Sequence, residues 1–317
     1  MPEEVLVSLE TGDDAAAYAL PDGRALVATV DFFTPIVDDP SDWGRIAAAN
    51  AFSDVYAMGG RPAIALNLVS WPVEELPLEL LGRVLQGGLD VAAEAGVAVV
   101  GGHSITDPEP KHGMVALGFV DSGRIVRSST APPGARLFLT KPLGTGVIST
   151  AIKRGSASEE QVRAAVRTMT ALNSTAAEAM VEAGAEAATD VTGFGLLGHL
   201  KAMLEASGVA AEIDASEVPF LPGVLDLARA DVVPSGTKRN HAHVRASTDW
   251  GELTPPEQLL LADAQTSGGL LIAAVDGDRS AAALSDRGIP VADIGVTSAG
   301  TPGHVRVTGR VGEIPLG

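Results

Sequence analysis

The chain contains no cysteine, so disulfides, thiolate metal sites and a cysteine nucleophile are excluded within it. Long apolar runs are also missing. No stretch reaches membrane-spanning length, and the opening Met1-Pro2-Glu3-Glu4 lacks a basic region followed by an apolar one. That predicts a cytoplasmic protein with no membrane partner. Positive charge is scarce: the formal net charge is −18, a surface that repels nucleic acid and anionic lipid. A small anion could still bind locally through backbone N–H groups and metal ions. There is no low-complexity segment and no short-period repeat. What remains is a soluble globular composition, with 46% hydrophobic and 20% charged residues, and 317 residues suit two domains better than one core.

The most informative stretch is Ser41–Gly60, which reads as one helix. Ser41 or Asp42 is placed to cap its start, and Gly59-Gly60 followed by Pro62 ends it. Its apolar side chains go all the way round, with Ile46 and Ala47 on one side and Phe52 and Val55 on the other, so the helix is buried on every side. Asn50 and Asp54 nevertheless share one of its faces, and Asp54 sits near the negative end of the helix dipole. A buried carboxylate there needs a strong partner. A cation and an arginine or backbone pairing both satisfy that need.

Around this helix the pattern alternates strands and turns. Val5–Leu9 and Tyr18–Leu20 are short strand-like runs, Pro21-Asp22-Gly23 is a turn, and Arg24–Phe33 is a strand that Asp31 interrupts. Gly12-Asp13-Asp14 is a solvated turn or the edge of a site. Pro62–Trp71 reads as a strand, Leu78–Ala95 as one or two helices, and Val97–Val100 as a short buried strand. That strand runs into Gly101-Gly102-His103-Ser104, a turn or a backbone cradle for phosphate. Gly113–Val120 and Arg124–Ser128 predict a hairpin. The Thr130-Ala131-Pro132-Pro133-Gly134 linker places a domain boundary at residues 128–134, separating 1–130 from 131–317.

The second half opens with strand Ala135–Thr140. Lys141–Gly146 follows, superficially a phosphate loop but without the Gly-Lys-Ser/Thr ending that a P-loop needs. A long helix is predicted over Glu159–Ala183, carrying Asn173, and another from Leu196 to Gly208. Asp190 stands at the glycine-rich start of the latter. Val233–Asn240 reads as a basic, polar loop, Asp263–Gly269 leads into strand Leu270–Val275, and the remainder, with a helix over Ser280–Arg287, suggests an α+β domain.

Asp14, Asp31, Asp54 and Asp190 each sit at a glycine-rich turn or inside an apolar element. Brought together they would repel one another unless cations lay between them. Oxygen ligands without clustered His or Cys favour Mg²⁺, which completes its shell with water and phosphate oxygens. The chemistry this points to is nucleotide phosphoryl transfer.

The motifs also resemble those of the selenophosphate synthetases (selenide, water dikinases). The resemblance runs from Thr11 to about residue 300. It is carried by Gly12-Asp13-Asp14-Ala15-Ala16, the Asp31–Asp38 and Gly44–Gly60 blocks, Gly101-Gly102-His103-Ser104, the Thr189–His199 block, Gly236-Thr237-Lys238-Arg239-Asn240 and Gln265–Leu271. The early blocks are shared by a wider superfamily that includes aminoimidazole ribonucleotide synthetase, thiamine-monophosphate kinase and a hydrogenase maturation factor. The resemblance implies an α/β (α+β) two-domain fold of the aminoimidazole ribonucleotide synthetase type, whose N-terminal domain binds ATP and metal and pairs its sheet across a homodimer into a β-barrel. It implies conversion of ATP, selenide and water to selenophosphate, AMP and phosphate. It further implies that Asp14, Asp54 and Asp190 ligate Mg²⁺. Thr11, Gly12, Asp13, Asp31 and, through metal, Asp54 would contact ATP, with Gly102, His103 and Ser104 contributed by the partner subunit.

One departure stands at the front. The family's glycine-rich segment with a cysteine or selenocysteine and a nearby lysine has no counterpart in the ten residues before Thr11. The catalytic pair is therefore not identified, and little selenide-dependent activity is expected of this polypeptide alone. A shortened chain, a late gene start at a selenocysteine codon and a short paralogue all account for it. The rival functions are another ATP-dependent kinase of the superfamily, such as a thiamine-monophosphate kinase-like enzyme, and a non-catalytic nucleotide-binding protein.

Overall fold

The computed structural model describes residues 2–8 and 12–312. Its first half is a six-stranded sheet in the order β1-β2-β3-β6-β4-β5. These strands are β1 (Val5–Val7), β2 (Ala16–Ala19), β3 (Arg24–Phe33), β4 (Arg61–Trp71), β5 (Ala98–Thr106) and β6 (Lys111–Asp121). Helix α1 (Pro40–Ala57) joins β3 to β4, and α2 (Leu78–Glu94) is the crossover that makes β4 and β5 parallel. Period-two alternation on β3 buries Ala25 and Val27 and leaves Val30 and Phe32 more than half exposed on the opposite face.

The second half is a seven-stranded mixed sheet in the order β10-β13-β9-β12-β7-β11-β8. Its strands are β7 (Arg136–Leu139), β8 (Ala187–Asp190), β9 (Ala210–Asp214), β10 (Thr248–Asp249), β11 (Leu270–Ala274), β12 (Ala292–Ser298) and β13 (Val305–Thr308). The helices are α3 (Thr145–Lys153), α4 (Glu159–Thr170), α5 (Ser174–Ala183), α6 (Gly195–Ser207), α7 (Val224–Arg229), α8 (Ser235–Val244), α9 (Pro255–Leu261) and α10 (Gly277–Ser285). Among the described residues no helix is long and apolar enough to cross a membrane.

Helix α1 is buried from Trp43 to Ala57 with scarcely an exposed position, as its all-round apolar sequence requires. It touches α2, β3 and β6 of its own half and α4, α5 and β8 of the other. The two hydrophobic cores therefore interlock. Strand β11 shows the same thing by alternation: Leu270 and Ile272 enter the core that holds Phe52 and Met180, while Leu271 and Ala273 enter the core that holds Leu196 and Ile46. A strand buried on both faces must be apolar throughout, and Leu270–Ala274 is.

Several local expectations are corrected. Helix α1 begins one residue earlier, at Pro40, and Asp39 caps it by accepting from the N–H groups of Ser41 and Asp42. Residues Val97–Val100 are not a short buried strand. Buried Val97 precedes β5, and residues 98–100 open it; the strand continues through residues 101–106 as an exposed sheet edge, because it has β4 on one side and no described strand on the other. Gly102 is dictated by packing there: a Cβ would fall 2.2 Å from the Asn67 carbonyl oxygen. The hairpin over 124–128 does not form, since both hydrogen-bonding edges of β6 are already taken by β3 and β4.

The helix expected over Glu159–Ala183 is two helices. Ala171 is extended at the end of α4, freeing its carbonyl for Lys141 Nζ, and Asn173 turns its amide to Ser53 and Gly268 instead of continuing the helix. Residues 233–240 are not a loop either. Pro234 precedes the start of α8, and buried Thr237 anchors it by donating to Asp263 Oδ1 at 2.7 Å.

Candidate functional site

Five aspartates from four separate segments line one cavity of about 250 Å³. Asp13 and Asp14 come from the turn before β2, Asp31 from the end of β3, Asp54 from the last turn of α1, and Asp190 from the last position of β8. Gly12, Thr189, Phe194, Gly198, His199 and Ala202 are also part of its wall. Thr11 lies outside the described residues. Gly102, His103 and Ser104 are not in this cavity: they lie on β5, at the opposite edge of the sheet from β1.

Each carboxylate is held by a neutral donor. Ser128 donates to Asp13 Oδ1 through both its N–H and its hydroxyl, each at 2.7 Å. Thr189 Oγ1 donates to Asp14 Oδ1 at 2.6 Å, Asn50 Nδ2 to Asp31 Oδ2 at 2.8 Å, and Thr29 Oγ1 to Asp54 Oδ2. Ser53 makes the corresponding bond to Asp190. None of the five forms an ion pair with arginine or lysine among the described residues. That rejects the arginine alternative for Asp54.

The uncompensated charge shows in the proton affinities. Burial, then the fields of Asp190, Asp31 and Asp14, holds Asp54 well above the ordinary carboxylate value. Asp14 is raised by burial and then by Asp190, and Asp31 by burial. Asp190 is pushed up to about 6 by burial, although its bond to Ser53 and the field of Lys141 oppose the rise. The Oδ2 atoms of Asp13 and Asp190 are buried without a hydrogen-bond partner. Buried carboxylate oxygens with no donor are places where a cation substitutes for a proton.

These residues are therefore chemically suited to hard cations. Among the described residues no three carboxylate or imidazole side chains surround one point as a ready-made ion cage. The fit is to ions that take few protein ligands each, as Mg²⁺ does.

Sequence reasoning missed the scaffold behind the aspartates. Ser267, in a left-handed conformation (φ +48°), sits in the strap that joins α9 to β11. Its N–H donates to Asn50 Oδ1 at 2.8 Å and its carbonyl accepts from Lys141 Nζ at 2.9 Å. Asn173 Nδ2 reaches Gly268 O and Ser53 Oγ, both at 2.8 Å. A Cβ on Gly268 would meet the Val191 carbonyl oxygen at 2.0 Å, so the strap presses directly on the chain leaving Asp190. Burial pushes Lys141 down to about 7. The clue in the sequence was polar residues inside apolar elements, as at Asn50, but its partner in the strap, Ser267, lies 217 residues away.

His199 accepts from the Thr192 N–H through Nε2 at 3.1 Å, and the packing around its ring pushes its pKa down to about 4. It is therefore neutral at physiological pH and shapes the turn after Asp190.

Comparison with known proteins finds matches over most of the chain. The AIR synthase related protein N-terminal domain matches residues 12–120, and the AIR synthase related protein C-terminal domain matches residues 132–308. The selenide, water dikinase of Myxococcus xanthus is 49% identical over 305 residues, covering 95% of this chain and 86% of that protein. Thiamine-monophosphate kinase from Stenotrophomonas maltophilia K279a superimposes with a TM-score of 0.70 at 22% identity, covering 98% of this chain and 93% of the other. The hydrogenase maturation protein HypE in complex with ATP superimposes with a TM-score of 0.68 at 20% identity, covering 94% and 85%. At such identities these two solved structures speak for the fold alone.

Proposed function

The chain belongs to the selenide, water dikinase family, and from that premise we propose an ATP-dependent phosphotransferase whose reaction centre is the five-aspartate cavity. It makes selenophosphate from ATP, selenide and water, with AMP and phosphate as the other products. The observation that carries the assignment of the site is the gathering of Asp14, Asp31, Asp54 and Asp190 on one cavity without an arginine or lysine ion pair among the described residues. Such a site repels a nucleotide triphosphate unless cations accompany it. Asp14, Asp54 and Asp190 would hold Mg²⁺, and Thr11, Gly12, Asp13 and Asp31 would face ATP. Bound Mg²⁺ supplies neutralisation of the phosphate charge.

The chain's own residues supply positioning. Thr29, Ser53, Ser128 and Thr189 each occupy one oxygen of a carboxylate with a neutral donor, which fixes its orientation without quenching its charge. Because the carboxylates come from both sheets, ATP would be bound across the junction of an N-terminal unit, residues 1–130, and a C-terminal unit, residues 131–317.

The open apolar face of the first sheet supports a homodimer. Tyr18, Val30, Phe32, Val100 and Ile105 are each 44–61% exposed, and β5 is an unpaired edge among the described strands. A second copy closing this face would form the barrel and bring its Gly102, His103 and Ser104 towards the nucleotide.

Product identity tests the reading. Anaerobic incubation with ATP, Mg²⁺ and selenide should give AMP and a ³¹P signal of selenophosphate, more slowly than in a chain that carries the family's cysteine or selenocysteine and lysine. Selenide-independent ADP formation with thiamine monophosphate as acceptor would overturn it in favour of the kinase alternative.

A further inference from the structure

A second cavity, of about 350 Å³, adjoins the acidic one and shares Phe194, Gly198 and Ala202 with it as a common wall. Its other wall is Arg239, Asn240 and His243 of α8. The two walls differ in kind. One is apolar, with Phe194 68% exposed, and the other is basic.

Helix α8 carries four basic side chains between 238 and 243, and they divide by use. Lys238 pairs with Asp231 at 2.7 Å, and His241 Nε2 meets Gln258 Oε1 at 3.0 Å and packs on Trp250. Among the described residues Arg239 has no carboxylate partner, its one hydrogen bond being a 3.3 Å contact to Ser235 Oγ, and His243 has no hydrogen-bond or ion-pair partner. The two uncommitted residues are the two that line the cavity. They are four apart and so stack on one helix face. Asn240 between them donates to Gly193 O at 2.8 Å and to Ala262 O at 3.2 Å, which ties this face to the turn that follows Asp190.

An unpaired arginine and histidine in a protein of net charge −18 are a local exception that suits an anion. The facing aromatic suits a soft, polarisable atom, since chalcogens make favourable contacts with aromatic rings. We propose that this cavity is the product subsite and binds a chalcogenophosphate, with its oxygens on Arg239 and His243 and its selenium against Phe194. The assignment rests on the family reaction proposed above and adds to it the residues that separate selenophosphate from the phosphate formed in the same turnover.

Inorganic thiophosphate is a stable probe with sulfur in place of selenium. It is titrated, alongside inorganic phosphate, into the full chain with divalent cations chelated, and ³¹P NMR follows binding. Thiophosphate should bind saturably and several-fold more tightly than phosphate. Loss of a charge-assisted contact in Arg239→Gln should weaken both by about tenfold or more. Phe194→Ala should remove the preference for thiophosphate and leave phosphate affinity unchanged. Asp190→Asn should lose Mg²⁺-dependent binding of a non-hydrolysable ATP analogue yet keep thiophosphate binding. Equal affinity for the two anions, or indifference to Arg239→Gln, overturns the product subsite. A chain that binds thiophosphate as described but transfers phosphate from ATP to thiamine monophosphate would instead overturn the reaction reading and leave an anion pocket in place.

Discussion

The side chain of Asn50 joins the two halves of the site: its Oδ1 accepts from the Ser267 N–H and its Nδ2 donates to Asp31, both at 2.8 Å. One amide thus fixes a carboxylate of the first sheet relative to the strap of the second. It is buried in α1, so the Ser267 N–H it satisfies has no water to fall back on. Asn50→Ala should destabilise the protein by about 1–3 kcal/mol, the range for stranding a buried polar group. It should also lower affinity for an ATP analogue. Urea denaturation and a fluorescent-nucleotide titration measure the two effects, and no change in either would make Asn50 incidental.

Asp54 should separate the two roles of the acidic cluster. Removing the charge in Asp54→Asn relieves repulsion from Asp190, Asp31 and Asp14, so the metal-free protein should become no less stable. Mg²⁺-dependent nucleotide binding should fall about 100-fold or more, since breaking a buried charge pair costs about 3–5 kcal/mol. Thermal melts with and without Mg²⁺-nucleotide test this. An undiminished melting shift in the variant would return Asp54 to a structural role.

His112 should give the fold a pH dependence of its own. It is fully buried on β6, edge-on to Trp43, with Nε2 3.1 Å from Asn67 Oδ1 and Nδ1 without a partner. Burial lowers its pKa from 6.5 to about 4. A depressed folded-state pKa means that the unfolded chain takes up the proton first. The stabilisation is complete above pH 6.5 and is lost as pH falls towards about 4. Histidine NMR should show a His112 midpoint near 4, and His112→Gln should flatten stability between those limits. A midpoint at the ordinary 6.5 would contradict the burial.

Phe32 tests the second copy. It is 55% exposed in the middle of the open sheet face. Phe32→Asp would place a charge where two such faces meet, so sedimentation should show a dimer for the parent chain and a monomer for the variant. An unaltered dimer would place the interface elsewhere.

Local sequence carried much of the fold. The strand Arg24–Phe33 was legible to the residue because a turn opens it and Asp31 marks its functional end. Helix α1 was legible because Gly59-Gly60 closes it, and its burial was legible because no face of it is polar. Strand β11 followed from an uninterrupted apolar run. The failures came where a distant partner overruled local preference. The chain breaks at Ala171–Asn173 because Lys141, Ser53 and Gly268 claim its polar groups, and β5 lies at an edge that no local pattern announces.

Of the proposed site, the sequence by itself determined the candidate carboxylates, Asp14, Asp31, Asp54 and Asp190, and through them the proposal of hard cations. Only the tertiary structure decided whether Asp54 was paired or exposed to other carboxylates. Spacing along a chain encodes which residues share a helix face or a strand face, over a few residues. The meeting of Asp14 with Thr189, and of Asn50 with Ser267, spans 175 and 217 residues and is set by two interlocked cores. The same packing turned a stretch that read as a basic loop into helix α8, and so set Arg239 and His243 on one face beside Phe194.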